Sequence, residues 1–150
     1  MDPEILRDLQ ARHREIRAHW ETLLRLERAN SPLAQPDTLV HLLDTTLAEI
    51  FRDLDGWSPR RHPGPAPVVP CPCGRNPLLA YFAAGRQALR EALIQAQSAG
   101  QPPDPQHRDT ALACVEQVFS HISNREIAAF CALCQFRAAA PAEFPAATTG

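Results

Sequence analysis

The chain has 150 residues, of which 45% are hydrophobic and 21% are charged, and its formal net charge is −2. This length is enough for one domain with a substantial core, so a metal ion is not needed merely to compensate for small size. The near-neutral charge provides no overall positive field, which argues against a nucleic-acid-binding role, and we expect no nucleic-acid partner.

The N-terminal stretch MDPEILRDLQ carries acidic residues at once and lacks the apolar run of a secretory signal. No apolar segment approaches the roughly 20 residues that a membrane span needs. We therefore expect a cytoplasmic protein with no membrane association. In that reducing compartment, the five cysteines favour metal ligands or reactive thiols over structural disulfides.

Helical periodicity dominates the first part of the chain. The first predicted helix runs from residue 2 or 3 to about 27, with Asp2 as the N-cap and Pro3 in the first turn. Its apolar stripe, spaced by three and four residues, contains Leu6, Leu9, His13, Ile16, Trp20 and Leu23. The second predicted helix begins near residue 36 or 37 and ends near 54, and Leu42 is expected to extend its buried face.

Residues 57–75, WSPRRHPGPAPVVPCPCGR, form a long proline-rich connector within the predicted domain. Connections of this length without regular structure are uncommon in compact domains unless they are functional or tethered. The connector ends in Cys71 and Cys73. A tether at this point is therefore expected.

Two further helices are predicted after the connector. The third runs from the cap Asn76 to about residue 98, and Gly85 near its core face predicts the close approach of another helix. The fourth begins at Pro105, and the capping-box pattern SNRE at 123–126 predicts a break and a fifth helix that ends near residue 137. Residues 138–150 are expected to be a disordered tail.

The sequence therefore predicts an all-α fold: an up-down bundle of four to five helices in a single domain, residues 1–137. Its last helical segment contains CALC, in which Cys131 and Cys134 are spaced i,i+3 and share one face. The third helix would be about 33 Å long. If the next helix runs antiparallel to it, that helix reaches the level of residue 76 at about residue 128. Short connections favour this arrangement, which brings all four thiols to one end of the bundle.

Four thiolates around one ion form the closed tetrahedral arrangement of structural zinc. We hypothesise that Cys71, Cys73, Cys131 and Cys134 bind zinc, with an iron–sulfur cluster as the alternative because soft thiolates suit both. The C-x-C spacing differs from the usual C-x-x-C knuckle, which leaves open a reversible redox set or simply reduced thiols. Cys114 lies too far along the helix to join them and is predicted to be a buried small hydrophobe.

Motifs of the commoner catalytic sites are missing from the sequence, which has no glycine-rich phosphate loop, no G-x-S-x-G and no H-E-x-x-H. We therefore expect a non-enzymatic zinc-binding domain with a regulatory or protein-interaction role. Its protein partner is not specified by the sequence, and an uncovered apolar helix face would favour a homodimer. The alternatives are a thiol redox sensor and a ligand-binding or enzymatic bundle with a cavity lined by His13, Trp20 or Tyr81.

Two leucine-rich stretches occupy the first third of the chain: REIRAHWETLLRL at 14–26 and, after a short proline break, TLVHLLDTTLAEIF at 38–51. With these stretches, residues 1 to about 55 resemble the helical N-terminal input domain of stressosome co-antagonist (RsbR-like) proteins and of some sensor kinases. The resemblance includes no catalytic or ligand residue, and the cysteine pairs lie outside it. It implies a sensory or protein-binding role without catalysis.

Overall fold

The computed structural model describes residues 1–28, 32–57, 71, 73–98 and 104–134. Within these ranges every regular element is helical, which confirms the predicted all-α class. Most of the proline-rich connector and the whole predicted tail, 138–150, lie outside the described residues. None of the described helices combines the length and the apolar character needed to cross a membrane.

Within the described ranges, six α-helices and two short 3-10 turns follow one another. The α-helices are α1 (Pro3–Ala11), α2 (His13–Leu26), α3 (Pro36–Leu39), α4 (Leu43–Asp55), α5 (Leu78–Ser98) and α6 (Pro105–Leu133). The 3-10 turns are Pro32–Ala34 and Val40–Leu42.

Both N-terminal helices of the sequence analysis are interrupted in the structure. The first is divided at Arg12, whose amide donates to the carbonyls of both Asp8 and Leu9, at 3.2 and 3.1 Å. The second contains the 3-10 turn Val40–Leu42, and the side chain of Leu42 is 42% exposed. The prediction that Leu42 extends the buried face is therefore wrong, because the tighter 3-10 turn changes the angular spacing of the side chains.

The predicted break in the last helix is also wrong, since α6 continues without interruption through the SNRE pattern. Ser123, the expected capping residue, is buried and donates its hydroxyl to the carbonyl of Ser120 at 3.2 Å. Ile122 and Ile127 are buried on either side of it. Burial of this stretch therefore keeps it helical, although the local pattern is typical of a helix start.

Helices α5 and α6 run in opposite directions and pack against each other. Near the end of α5, the Gln97 side chain donates to the carbonyl of Arg108, in the first turns of α6. Just before α5, Asn76 donates to the carbonyl of Ile127, near the end of α6. The segment that precedes α5 therefore lies beside the last turns of α6.

A tryptophan fixes how closely α2 approaches α5. Trp20 is fully buried, its indole N–H donates to the carbonyl of Tyr81 at 2.8 Å, and its ring stacks at a tilt on that of Tyr81. A methyl group added at Gly85 would overlap three atoms of the indole ring, the farthest of them at 2.7 Å. The close approach predicted at Gly85 is confirmed, and the neighbour is a side chain of α2.

Replacement of Gly85 by alanine should lower the free energy of unfolding by about 2 kcal/mol or more, because overpacking of the Trp20 ring exceeds the gain in helix propensity. Urea denaturation followed by circular dichroism would measure this loss.

Gly56→Ala is the matched control. The Cβ of the new alanine would lie 3.7 Å from the carbonyl oxygen of Arg52, an ordinary van der Waals contact. We therefore expect the free energy of unfolding to change by no more than about 0.5 kcal/mol. Equal effects of the two substitutions would contradict the close packing at Gly85.

Candidate metal centre

The four predicted cysteines lie at one end of the α5–α6 pair. Cys71 and Cys73 precede α5, Cys131 lies in the last turn of α6 and Cys134 follows that helix directly. The sulfur of Cys73 lies 3.7 Å from that of Cys71 and 3.8 Å from that of Cys134. The thiols of Cys71 and Cys131 also affect each other's ionisation, so these two side chains are neighbours. Three of the sulfurs are therefore in direct contact, and the thiol of Cys131 lies next to them.

The backbone around Gly74 directs amide groups at these sulfurs. Gly74 has a φ of +64°, in the left-handed region that favours glycine, and its amide donates to the carbonyl of Cys71 at 3.1 Å. The amides of Gly74 and Asn76 also donate to the Cys71 sulfur, and that of Arg75 donates to the Cys73 sulfur. Successive amides arranged in this way form a concavity that favours anions such as thiolates.

Asn76 joins this loop to α6. Its side chain is fully buried, and its Oδ1 accepts from the amide of Leu78 at 2.9 Å, which caps the start of α5. Its Nδ2 donates to the carbonyl of Ile127 at 3.1 Å and to the sulfur of Cys131 at 3.3 Å. One side chain therefore caps α5, holds α6 and contacts a thiol.

The surroundings of the thiols affect their ionisation in different ways. Partial burial opposes ionisation of Cys71, but the amides of Asn76 and Gly74 and the neighbouring thiols together lower its pKa to about 7. The Arg75 amide favours the Cys73 thiolate, yet burial and the adjacent sulfurs of Cys71 and Cys134 raise the pKa of Cys73. Without a cation, one negative charge on the cluster is therefore favourable and further charges are costly.

Burial also raises the pKa of Cys131, although the Asn76 side chain opposes this by donating to its sulfur. The fifth cysteine, Cys114, is completely buried, which raises its pKa to about 11. The prediction that Cys114 is a buried small hydrophobe, separate from the other four, is confirmed.

The fit of a metal ion depends on the separations between the sulfurs. Among the described residues, no group of three or more His, Cys, Asp or Glu side chains forms a site that could hold a metal ion. Four sulfurs at about 2.3 Å from a tetrahedral ion would lie about 3.8 Å apart. The two separations at the Cys73 sulfur, 3.7 and 3.8 Å, have this value. The chemistry of the thiols and these two separations are therefore those that a thiophilic ion requires.

Two of the three candidate residues for a ligand cavity, Trp20 and Tyr81, are buried in the core, and the Tyr81 hydroxyl donates to Thr46 at 2.9 Å. The third, His13, is half-buried at the surface, with its Nε2 atom 3.9 Å from a carboxylate oxygen of Asp44. Tyr81 also borders a partly open hollow of about 200 Å³ between α4, α5 and α6. Ligand sites usually have about 300–1,000 Å³, so this hollow is small for such a role.

Sequence reasoning identified the four cysteines and the capping role of Asn76, but it missed the contacts of Asn76 with α6. An asparagine before a proline at a helix start indicates only a local cap. Its reach across to Ile127 and Cys131 depends on the tertiary structure. Gly74, directly after Cys73, is the sequence signal for a backbone amide that approaches a thiolate, and its φ of +64° agrees with that role.

Comparison with known proteins gives no match for this chain: no family model, no curated protein and no solved structure is significantly similar to it. The assignment of a function therefore depends on the geometry of the thiol cluster.

In the reduced, metal-free protein, Cys71 should be the first cysteine to react with iodoacetamide, because the thiolate is the nucleophile and its pKa is about 7. Its rate should rise as the pH passes through 7, whereas Cys73 and Cys131, whose pKa values are raised, should react only in more alkaline solution. Peptide mass spectrometry after short labelling at each pH would follow each site.

The Cys71→Ser variant should lose the reaction near pH 7 and keep the alkaline one. Reaction of all the cysteines together, near the usual thiol pKa of about 8.5, would contradict the role of the amides around Gly74.

Proposed function

We propose that this chain is a non-enzymatic, zinc-binding helical domain with a regulatory or protein-interaction role. Cys71, Cys73, Cys131 and Cys134 bind one zinc ion and hold the connector, 57–75, to the end of an up-down helical bundle. The observation that carries this proposal is the contact of three sulfurs, with Cys73 within 3.8 Å of both Cys71 and Cys134, beside the Cys131 sulfur that Asn76 holds at 3.3 Å.

Hydrogen bonds to sulfur distinguish a metal site from four incidental thiols. Separations near 3.8 Å are also those of neutral sulfur atoms in ordinary contact, so the distances alone suit both cases. Backbone amides directed at Cys71 and Cys73, together with the Asn76 amide directed at Cys131, each stabilise a thiolate. Burial and the neighbouring sulfurs nevertheless raise the pKa values of Cys73 and Cys131. A divalent soft ion would compensate this repulsion and allow all of the ligands to ionise.

Zinc is favoured over an iron–sulfur cluster by the pattern of contacts. In a cluster of several irons, cysteines on different irons lie farther apart than those that share one ion. Cys73 contacts both Cys71 and Cys134, and the Cys131 thiol is a neighbour of Cys71. A single tetrahedral ion would account for this grouping.

The donor set supports a structural role over a catalytic one. Four sulfur ligands complete the coordination of tetrahedral zinc, whereas catalytic zinc keeps one position for water or substrate. A closed site contributes to stability instead, with an apparent binding free energy on the order of 10 kcal/mol in small zinc domains. By holding the connector to the helices, it would fix a surface on which a protein partner or a second copy could dock.

Purified protein produced with added zinc should contain one zinc ion per chain by elemental analysis. Cys71→Ser and Cys131→Ser, which change one ligand on each side of the cluster, should each lose most of this metal. A chelator should lower the melting temperature of the parent protein, because removal of the ion also removes its binding free energy from the folded state.

Cys114→Ala is the matched control and should keep the full zinc content, since Cys114 lies apart from the cluster. Protein that binds no metal, or metal content that the ligand substitutions leave unchanged, would refute the proposal. Visible absorption and iron in place of zinc would instead favour the iron–sulfur alternative.

A further inference from the structure

The four sulfurs of the cluster are held in two different ways. Cys71 and Cys131 form an anchored pair, since Asn76 contacts both: its backbone amide donates to the Cys71 sulfur and its side-chain amide to the Cys131 sulfur. Asn76 is itself fully buried and tied to the carbonyl of Ile127. Movement of either anchored sulfur would therefore disturb a buried hydrogen-bond network.

Cys73 and Cys134 form the outer pair. Their sulfurs lie 3.8 Å apart, and 61 positions of the chain separate them. Cys134 follows the last residue of α6 in an extended conformation, with φ −73° and ψ 122°. Cys73 lies in the turn that precedes α5. Both residues are outside the helices. The Arg75 amide donates to the Cys73 sulfur and the Cys134 amide donates to the carbonyl of Cys131, but neither sulfur is tied to the buried Asn76 side chain.

We propose that the outer pair is an oxidation site, at which a hydroperoxide joins Cys73 and Cys134 in a disulfide and thereby releases the bound metal ion. The release of metal rests on the proposed zinc site, whereas formation of the disulfide depends only on the sulfur geometry. After oxidation the ion keeps only the two anchored ligands, too few for a tetrahedral thiolate site.

The reaction balances as a two-electron oxidation. One outer thiolate attacks an oxygen of the hydroperoxide, so that an S–O bond forms, the O–O bond breaks and hydroxide or an alkoxide leaves. The second outer thiolate attacks the resulting sulfenic sulfur, so that the S–S bond forms and hydroxide leaves. The hydroperoxide accepts both electrons, the leaving groups take protons from water, and zinc does not change its oxidation state.

The contacts around the sulfurs favour this pair over Cys71–Cys73, whose sulfurs are equally close at 3.7 Å, and over Cys71–Cys131. A disulfide between Cys71 and Cys73 would close a small ring within the turn that the Gly74 amide stabilises through the Cys71 carbonyl. A link between Cys71 and Cys131 would displace both sulfurs from their contacts with Asn76. Cys73 and Cys134 need only approach from 3.8 Å to the bonded distance of about 2.05 Å.

The experiment uses the full chain, reduced and loaded with zinc, and treats it with hydrogen peroxide. Zinc release is followed with a chromogenic chelator and the disulfide by peptide mass spectrometry. Trypsin cuts after Arg61, Arg75, Arg125 and Arg137, so Cys71 and Cys73 share one peptide while Cys131 and Cys134 share another. We expect a cross-link between these two peptides, located by fragmentation at Cys73 and Cys134, with one zinc ion released per disulfide.

Two double variants separate the pairs independently of metal binding. Cys71→Ser with Cys131→Ser keeps the outer pair and should still form the cross-link, whereas Cys73→Ser with Cys134→Ser keeps the anchored pair and should form it at least ten times more slowly. Cys114→Ala, measured as a single variant, should oxidise like the parent. Helical content by circular dichroism checks that each variant is folded.

The inference is overturned by a disulfide within either tryptic peptide, by equal rates for the two double variants, or by zinc that stays bound after the cross-link forms. Purified protein without zinc would refute the proposed function instead, and mapping of the disulfide in that protein would still decide whether the outer pair is the oxidation site. The two proposals can therefore fail separately.

Discussion

The hydrogen bonds of Asn76 are the constraint on which the thiol end of the molecule depends. This buried side chain caps α5 through Leu78 and donates to α6 at Ile127 and Cys131. A buried amide that lost these partners would carry the full cost of its desolvation, about 1–3 kcal/mol. The segment before α5 is therefore held to one register against α6, and the sulfurs of the loop meet those of the helix.

A second constraint positions α5 itself. Trp20 fills the space left by the missing side chain at Gly85 and donates to the carbonyl of Tyr81, so α2 and α5 approach closely at this point. This packing lies in the first half of α5, whereas Asn76 acts just before its start. Core packing thus fixes the position of α5 against α2, and the Asn76 cap fixes the start of α5 against α6. The positions of the cluster sulfurs depend on both.

Much of this arrangement could be predicted from helix lengths and caps. The rise per residue predicts which residues of an antiparallel α6 lie beside the start of α5. Cys131 does lie there, next to Asn76. Local patterns were less reliable where burial competes with them: α6 continues through Ser123, and a 3-10 turn exposes Leu42. The double role of Asn76 could not be predicted, because it depends on two helices that meet only in the folded chain.

X-ray absorption at the zinc edge of the zinc-loaded protein tests the central claim most directly, since it reports the atoms that surround the ion. If the four thiols share one cation, the first shell contains four sulfur atoms at about 2.3 Å and no lighter ligand. A shell with nitrogen or oxygen ligands, or with two sulfurs only, would contradict the account, because the ion would then not join the loop before α5 to the end of α6.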